Sequence, residues 1–262
     1  MAGKTPEFVI PAERLKRISD YIEQRGNAKI SDLAQELGVS ESTVRRDLDT
    51  LVREGLIQRS HGGATWIRHS SSYEHVYSEK MLIRGDEKKR IGAFCAEMVR
   101  DGDTLFLDSG TTTFQIAAGL RRKKDLTIFT YDLAIASTVE FAPSTTLVVT
   151  GGIKRENYNV LIGSVTEDFI SRVRFSTLFL SADAIDEEFG VSNTGLPEAS
   201  IKSKLIASAG RVVLAADSTK FGKVAMVKVS DLSAVHCIVT DRGLPAPAQK
   251  RMAELVPEFY AV

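Results

Sequence analysis

The sequence predicts an α/β chain of two domains: a small helical N-terminal domain that ends in a β-hairpin, and a larger domain with a mostly parallel sheet. Three observations support this. A length of 262 residues suits two domains. Residues 11–67 contain three amphipathic helical patterns and then a hairpin pattern. Beyond residue 87, short apolar strands alternate with helical patterns. The expected boundaries are residues 1–67, a linker at 68–86, and residues 87–262.

The first helix is expected to begin at Pro11 and to end at Gly26. Proline is favoured at the first position of a helix, where a missing N–H costs nothing. Ile18 and Ile22 lie on one face of this helix and are expected to pack inward. Arg14 can either reach a phosphate group or remain solvated.

Two shorter helices follow and are joined by a tight turn. Ser31 and Ser40 are the expected N-caps, because a serine hydroxyl accepts a hydrogen bond from an unpaired backbone N–H. Gly38 can adopt the left-handed conformation that ends a helix. The apolar face of the second of these helices comprises Val44, Leu48 and Leu51.

The opposite face of that helix carries hydroxyl and guanidinium groups near the helix N-terminus. Its residues are Ser42, Arg45, Arg46 and Asp49, and Ser42 and Thr43 are close enough to the helix start to contact phosphate or bases. Guanidinium matches both the O6/N7 edge of guanine and phosphate oxygens. A helix that enters the major groove presents its N-terminal residues to the bases. The alternative interpretation is an ordinary solvated charged face.

A hairpin is predicted from strands at residues 56–59 and 64–67, with the turn at residues 61–63. Gly62 and Gly63 allow the positive φ angles that a two-residue turn needs. Arg59 and His61 lie near the tip and are expected to face the DNA backbone. Three helices followed by this hairpin predict a winged helix-turn-helix.

Two strings in this region, VSESTVRRDL and GLIQRSHGGA, are similar to the N-terminal signature of the DeoR family of bacterial transcription regulators. The resemblance implies that Ser42, Thr43, Arg45 and Arg46 contact DNA. On that basis we expect a double-stranded operator as a partner. We also expect a homo-oligomer, either a dimer or a tetramer, because paired recognition helices read paired half-sites.

Composition limits how the chain can bind DNA. Lys+Arg and Asp+Glu balance at 34 each, so DNA affinity must come from a local patch. The two cysteines, Cys95 and Cys237, lie in apolar patterns and are expected to be reduced core thiols. The pattern predicts no metal site, cofactor, signal peptide or membrane span. We therefore expect a bacterial cytoplasmic protein that associates with the nucleoid when it is bound to DNA.

The larger domain is expected to begin with a helix near Glu87. Strands are predicted at residues 104–107, 126–130, 146–150, 177–180, 212–215 and 235–239. Helices are predicted at residues 112–120, 133–141, 165–172, 197–209 and 246–255. Several strands are apolar throughout, as buried parallel strands tend to be. The pattern predicts a Rossmann-like, mostly parallel sheet covered on both faces.

Polar residues follow several of these strands, at the edge where open parallel sheets bind ligands. The first cluster comprises Asp108, Ser109, Gly110, Thr111, Thr112 and Thr113. Its glycine lets backbone N–H groups approach an anion, and the following helix N-terminus adds partial positive charge. This pattern predicts a phosphate cradle. The alternative is a capped helix start without a ligand.

Four further clusters are expected at the same edge. They contain Gly151 and Gly152, Asp183, Glu198 with Lys202, and Asp217 with Lys220. Ammonium groups suit phosphate and carboxylates suit hydroxyls, so together they fit a phosphorylated polyol. The alternative for Glu198 and Lys202, which are one helical turn apart, is a weak surface ion pair.

Three strings in this domain, LFLDSGTTT, TGGIKR and VVLAADSTKFG, resemble the effector domain of the same DeoR family. That domain in turn looks like ribose-5-phosphate isomerase. The resemblance implies a phosphorylated sugar as effector. The positions that match by motif are Asp108, Gly110, Thr111, Thr112, Gly152, Lys202, Asp217 and Lys220.

The sequence departs from the family pattern at four positions. Ser181 and Ala184 stand where glycine is common, Tyr131 where asparagine is common, and Ser200 where an acidic residue is common. Tyr131 and Ser200 can alter which sugar is accepted.

The sequence therefore predicts a DNA-binding transcriptional regulator. We expect a repressor of a carbohydrate-use operon that a phosphorylated sugar releases from or modulates on its operator, although an activator is compatible with the same pattern. The alternative is a sugar-phosphate isomerase with an appended DNA-binding domain, which needs a positioned base. Asp108, Asp183 and Lys202 are candidates for such chemistry. They form no compact base–acid motif, so we assign no catalytic residue.

Overall fold

The computed structural model describes residues 11–53, 57–60, 62–66, 80–81, 83–156 and 158–262. The chain divides into two compact units, residues 1–70 and 71–262. Within the described ranges, no helix is both long and apolar enough to cross a membrane.

The N-terminal unit is a winged helix-turn-helix, as predicted. Its elements are α1 (Pro11–Arg25), β1 (Asn27–Lys29), α2 (Ile30–Leu37), α3 (Glu41–Arg53), β2 (Ile57–Ser60) and β3 (Gly63–Trp66). The strands form an antiparallel sheet in the order β1-β3-β2. The sequence did not predict β1, because three residues are too few to show a strand periodicity.

The core of this unit is formed by the predicted apolar faces of the helices. Its fully buried members include Ile18 and Ile22 on α1, Leu33 on α2, and Val44 and Leu48 on α3. Burial of such side chains contributes roughly 1.5–3 kcal/mol each. The helical periodicity thus fixes which face of each helix points inward.

The helix caps agree with the prediction at two of three positions. Gly38 has a left-handed φ of 65° after α2. The Ser40 hydroxyl accepts from the Thr43 N–H at 3.2 Å. Ser31 is not an N-cap, because α2 begins one residue earlier. The Ile30 N–H instead donates to the Gly62 carbonyl at 3.0 Å, so the hairpin backbone satisfies the start of this helix.

The two hairpin glycines have different roles. Ser60 pairs with Gly63, and Gly62 lies in the turn with the expected positive φ of 81°. Gly63 lies in β3, and the expectation of a positive φ there is wrong. A Cβ at Gly63 would lie 2.1 Å from the Ala28 carbonyl oxygen. Glycine is needed at this position because β1 approaches closely.

Replacing Gly63 with alanine is therefore expected to destabilise the N-terminal unit by about 1–3 kcal/mol, as overpacking usually does. Trp66 is the single tryptophan of the chain and lies in β3, so its fluorescence can follow urea unfolding of this unit. Gly62→Asn is the matched control, since asparagine tolerates a positive φ and nothing lies near the Gly62 Cα. Equal midpoints for Gly63→Ala and the wild type would contradict the close approach.

The larger unit contains six α-helices and twelve strands within the described residues. The helices are α4 (Gly85–Glu97), α5 (Thr111–Gly119), α6 (Leu133–Thr138), α7 (Ser164–Arg172), α8 (Leu196–Ser208) and α9 (Ala246–Leu255). The strands are β4 (Thr104–Leu107), β5 (Thr127–Thr130), β6 (Thr146–Val149), β7 (Ile153–Lys154), β8 (Leu161–Ile162), β9 (Phe175–Leu180), β10 (Ala184–Asp186), β11 (Gly190–Asn193), β12 (Ala209–Ala215), β13 (Val227–Ser230), β14 (Cys237–Thr240) and β15 (Glu258–Ala261).

Seven of these strands form one sheet in the order β15-β14-β12-β9-β4-β5-β6, and all its pairs are parallel. The predicted mostly parallel sheet is confirmed, and its six predicted strands occur within a few residues of their expected bounds. The sequence missed the edge strand β15, the antiparallel sheet β10-β11-β13 and the β7-β8 pair. It also placed the first helix near residue 87, whereas α4 begins at Gly85.

The parallel sheet has an apolar core on each face, because neighbouring residues of a strand point in opposite directions. Leu105 and Leu107 belong to one core and Phe106 to the other. Cys95 and Cys237 are free thiols in the first of these cores, as expected. Burial raises the pKa of Cys237 to about 11, so this thiol stays protonated at neutral pH.

The chain order of the strands reverses between β4 and β9. From β4 the chain continues to β5 and β6 on one side, whereas β9 is followed on the other side by β12, β14 and β15. Loops that leave neighbouring strands at such a reversal diverge to opposite faces of the sheet and open a crevice at its carboxyl edge. The fold therefore provides a ligand-sized opening between the loops after β4 and β9.

Candidate functional site

The outward face of α3 presents two guanidinium groups to solvent. Arg45 and Arg46 are both exposed, as is Ser42. Arg45 forms an ion pair with Glu41 at 3.1 Å, one helical turn away. Arg46 makes no ion pair or hydrogen bond through its side chain with the part of the chain that is described. The Ser42 and Thr43 hydroxyls lie 2.8 and 2.9 Å from the Ser40 hydroxyl, which holds them at the helix start.

Arg59 on the hairpin is tied to α3. Its guanidinium donates to Asp49 Oδ1, at 2.5 Å from Nη2 and 3.1 Å from Nε, and to the Arg45 carbonyl at 2.9 Å. The Arg59 side chain therefore joins the hairpin to α3. To bind DNA it would have to share these hydrogen bonds or give them up. His61, the other hairpin position predicted to face DNA, lies outside the described residues.

Arg14 on α1 neither reaches outward nor remains solvated, so both expectations for it are wrong. Its guanidinium makes two bonds to the Asp47 carboxylate, at 2.6 and 3.0 Å. Both side chains are nearly buried, and the pair joins α1 to α3.

A cavity of about 70 Å³ lies at the carboxyl edge of the parallel sheet, between the loops that follow β4, β9 and β12. Its charged lining residues are Lys80, Lys88, Lys202, Lys220, Asp183, Glu198 and Asp217. Hydroxyl groups of Ser109, Thr111, Thr112 and Ser181 also line it. At roughly 10–15 Å³ for each ordered water, it has room for about five to seven waters. The space suits a small, polar and negatively charged ligand.

Most residues predicted to bind an effector line this cavity. They are Ser109, Gly110, Thr111, Thr112, Asp183, Lys202, Asp217 and Lys220. A Cβ at Gly110 would lie 2.8 Å from the Ser181 hydroxyl oxygen, so glycine lets the β4 loop approach the β9 loop. Long-range strand pairing thus assembles four of the five predicted sequence clusters around one space.

Four predicted residues do not line the cavity. Gly151 and Gly152 follow β6, which is an edge strand two places away from β4. The Gly151 carbonyl accepts from the Thr166 hydroxyl at 2.7 Å. The fully buried Thr113 donates its hydroxyl to the Gly110 carbonyl at 2.8 Å, inside the first turn of α5. Asp108 lies behind the cavity wall.

Asp108 is 0% exposed and is surrounded by hydrogen-bond donors. Lys202, itself only 2% exposed, donates to Asp108 Oδ2, as do the Ser181 N–H at 2.8 Å and hydroxyl at 2.9 Å. The Tyr131 hydroxyl donates to Asp108 Oδ1 at 2.5 Å. Because Asp108 and Lys202 are bound to each other, neither is available as a catalytic base. Two of the three residues considered for isomerase chemistry are therefore excluded.

The four departures from the family pattern have structural explanations where they touch this network. Tyr131 and Ser181 both donate to Asp108. Ser181 also lines the cavity, whereas Tyr131 is fully buried and does not line it. Burial and the Asp108 carboxylate raise the pKa of Tyr131 well above its ordinary value. Ser200 is exposed on α8 and does not line the cavity. Neither Tyr131 nor Ser200 lines the cavity, so the expectation that they alter which sugar is accepted has no direct contact behind it and stays a prediction.

Lys80, Lys88 and Lys220 surround two aspartates on one wall. Burial alone would raise the pKa values of Asp183 and Asp217, but the ammonium groups outweigh it. The pKa of Asp183 lies well below its usual range, and the pKa of Asp217 is also lowered. Lys80 pairs with Asp183 Oδ1 at 2.9 Å. Burial lowers the pKa of Lys88 to about 8, although Asp217 partly opposes this.

Sequence reasoning missed Lys80 and Lys88. Lys80 falls in the stretch that was predicted to be a linker, and Lys88 lies in the first turns of α4 among other charged residues. One sequence feature could have identified Lys88. It is three residues before Ile91 and therefore lies on the same, buried face of the helix, where a lysine is unusual.

Glu198 and Lys202 do not form the surface ion pair that was considered. Both are buried, and Glu198 Oε1 instead accepts from Arg155 at 2.6 Å. The Arg155 guanidinium also lies over the Tyr158 ring, 4.0 Å from its centroid. Among the described residues, no group of His, Cys, Asp and Glu has the arrangement of a metal site.

Comparisons with known proteins match both units. Residues 14–70 match the family described as DeoR-like helix-turn-helix domain, and residues 83–242 match the DeoR C terminal sensor domain. The chain is 31% identical over 242 residues to the glycerol-3-phosphate regulon repressor of Escherichia coli K12, covering 92% of this chain and 95% of that protein.

Two further relatives have similar coverage. The HTH-type transcriptional regulator GlpR of Haloferax volcanii is 33% identical over 245 residues, covering 93% of this chain and 95% of its own. The HTH-type transcriptional repressor CsqR of Escherichia coli K12 is 32% identical over 233 residues, covering 89% of this chain and 88% of its own. These names favour transcription regulation over the isomerase alternative.

Among solved structures, ribose 5-phosphate isomerase from Methanocaldococcus jannaschii overlaps with 53% of this chain and 55% of its own, at 15% identity and a TM-score of 0.38. That overlap is too weak to bear on function. The two domain matches and the full-length relatives agree with each other along the sequence. The chain therefore belongs to the DeoR family of DNA-binding transcriptional regulators.

Proposed function

We propose that this regulator represses a carbohydrate-use operon and that a small phosphorylated sugar or polyol changes its affinity for the operator. The observation that carries the proposal is the cavity at the β4/β9 reversal, where four ammonium groups face three carboxylates and several hydroxyls. Ammonium groups neutralise a phosphate, and carboxylates accept hydrogen bonds from sugar hydroxyls. The similarity to the glycerol-3-phosphate regulon repressor of Escherichia coli supports a ligand of this class.

The DNA-binding half of the proposal rests on α3. Ser42, Thr43, Arg45 and Arg46 are the proposed contacts, because Ser42, Arg45 and Arg46 are exposed near the helix N-terminus and Thr43 lies in the first turn beside them. Arg59 holds the hairpin against α3 and adds positive charge beside it. Two copies of the chain would read half-sites about 34–36 Å apart, or at multiples of that spacing. We accordingly propose a dimer or tetramer as the binding form, with residues 1–67 as the DNA-binding domain.

The ligand-binding half rests on residues 87–262 together with Lys80. Ser109, Gly110, Thr111 and Thr112 supply donors at the start of α5, and Asp183, Asp217 and Lys220 supply charge. Asp108, Lys202 and Thr113 act behind this surface, where they hold the wall in shape. Gly151 and Gly152 have no place at the ligand. Such a protein would work in the bacterial cytoplasm, where both operator and phosphorylated metabolites occur.

Lys80 offers a route from the ligand to the linker. Its ammonium pairs with Asp183, and its carbonyl accepts from Lys88 at 2.5 Å. The Lys88 ammonium also donates to the Ile83 carbonyl at 2.7 Å. An anionic ligand competes for these ammonium groups, so its binding changes how firmly the cavity holds the chain that leads to the DNA-binding domain. A ligand shifts affinity only through such a difference between states.

The test is a titration of the full chain on DNA from upstream of its own gene, with and without phosphorylated sugars. We expect glycerol 3-phosphate or a phosphorylated aldose or ketose to change operator affinity at least about fivefold, which is the lower range of allosteric coupling. The unphosphorylated parent sugars are the controls and should have no effect. Operator affinity that stays constant with every phosphorylated compound would refute the ligand half. A rise in affinity would show a co-repressor or an activator.

A further inference from the structure

The cavity offers four ammonium groups, but their hydrogen bonds make them unequal as ligands for an anion. Lys202 donates to Asp108, to the Ser181 carbonyl at 3.0 Å and to the Ser181 hydroxyl at 2.9 Å. An ammonium has three N–H groups, so Lys202 is fully used within the protein. Lys80 is held by Asp183. These two lysines would have to break existing bonds before they bound a ligand.

Lys88 and Lys220 are the remaining pair. The Lys220 side chain is half-buried and makes no hydrogen bond within the described part of the chain, although it faces Asp183 and Asp217. Lys88 is 4% exposed and donates to two carbonyls, which leaves one N–H for another acceptor. A buried cation without a direct counterion is unfavourable, and a bound anion would relieve that cost.

Asp217 is a further lining residue of the cavity that has an unused hydrogen-bonding position. It is 1% exposed, and both of its hydrogen bonds from Thr219 go to Oδ1. Its second oxygen, Oδ2, accepts no hydrogen bond within the described ranges, yet Asp217 lines the cavity. A hydroxyl of the ligand is the natural donor for this oxygen. A cation with a spare N–H and a carboxylate with a spare oxygen thus lie on one wall.

We propose that the phosphate of the ligand is bound by Lys88 and Lys220 in front of the Ser109–Thr112 loop, with an adjacent ligand hydroxyl on Asp217, and that Lys202 only positions the wall. This assignment rests on the proposed function and makes it more specific. The sequence pattern favoured Lys202 as a ligand contact, and the assignment replaces it with Lys88, which the pattern missed.

Proton uptake follows from this arrangement. The charged groups that face Lys88 are Asp217, Lys220, Lys80 and, on its own helix, Glu87. With a pKa of about 8, Lys88 is partly neutral just above neutral pH. A bound anion favours the charged form and raises that pKa, so binding takes up protons. Above about pH 8 the ammonium is lost and the affinity for the anion falls.

The test uses inorganic sulfate as the probe, because sulfate does not titrate in this pH range and any proton uptake belongs to the protein. Calorimetry of the full chain at about pH 7 and about pH 9, in buffers with different ionisation heats, measures both affinity and protons. We expect the wild type to bind more weakly at the higher pH and to take up protons. Lys88→Met should bind at least about tenfold more weakly at the lower pH, since one charge-assisted hydrogen bond is lost.

Two variants keep the test sharp. Lys220→Met, at a half-buried position, should also weaken binding. The pH dependence should remain because Lys88 remains, but it should move to higher pH, since Lys220 lowers the pKa of Lys88. Lys89→Met is the control: this exposed lysine is next to Lys88 on α4 and pairs only with exposed Asp86. Circular dichroism checks that Lys88→Met is folded. If Lys88→Met does not fold, the loss of affinity in Lys220→Met and the proton uptake of the wild type decide the assignment.

The outcomes separate this assignment from the proposed function. Equal sulfate affinity in the wild type, Lys88→Met and Lys220→Met contradicts the assignment, as does a wild type that binds no sulfate. If phosphorylated sugars still release wild-type protein from its operator in those cases, only the subsite is wrong. If no phosphorylated compound acts on the wild type, the proposed function itself fails.

Discussion

Replacing Lys202 with methionine is expected to lower the free energy of unfolding of the larger unit by about 3–5 kcal/mol, the usual cost of removing one partner from a buried ion pair. Methionine has a similar length, so the main loss is the charge. Asp108 would remain at 0% exposure with Tyr131 and Ser181 as its donors but without a cation. Urea unfolding followed by far-UV circular dichroism measures the change.

Lys204→Met is the matched control for this variant. Lys204 lies on the same helix, is partly exposed and forms only a loose pair with Glu167 at 3.6 Å. Its replacement should change stability by no more than about 0.5 kcal/mol. The double variant Lys202→Met/Asp108→Asn should regain part of the loss, because the uncompensated charge is gone. A Lys202→Met protein as stable as the wild type would show that the pair does not hold the cavity wall.

Replacing Arg46 with alanine is expected to weaken operator binding by about 1–3 kcal/mol for each bound copy, if Arg46 makes a bidentate contact to guanine. Arg46 is favoured because it is exposed and makes no side-chain bond within the described residues, whereas Arg45 is paired with Glu41. The measurement is fluorescence anisotropy of labelled operator DNA at several salt concentrations. Arg45→Ala should act in the same direction.

The salt dependence distinguishes the kind of contact. Loss of a base contact weakens binding to the operator more than to unrelated DNA, whereas loss of a phosphate contact weakens both and lowers the salt slope by about one. Arg17→Ala is the control, since Arg17 is an exposed arginine on α1 and does not belong to α3. Unchanged operator affinity in both Arg46→Ala and Arg45→Ala would remove this face of α3 from the recognition surface.

The sequence by itself determined the main helices of both units, the hairpin, six of the seven strands of the parallel sheet, and the outward face of α3. Val44 and Leu48 are buried while Arg45 and Arg46 are exposed, because helical periodicity is a local property that needs no distant partner. The parallel sheet was predictable for the same reason, since apolar strands alternate with helices. The boundaries that failed, such as the start of α2, depend on a hydrogen bond from Ile30 to the distant Gly62.

Only the tertiary structure decided which polar residues meet. Strand order places Gly151 and Gly152 after an edge strand, and the packing of α4 brings Lys88 to the cavity; no local pattern encodes either. Asp108 and Lys202 are 94 residues apart, and the sequence predicted that each contacts the ligand separately. In the structure they form an ion pair with each other. A buried charge must be compensated by whichever opposite charge the fold brings to it, and that choice is made by long-range packing.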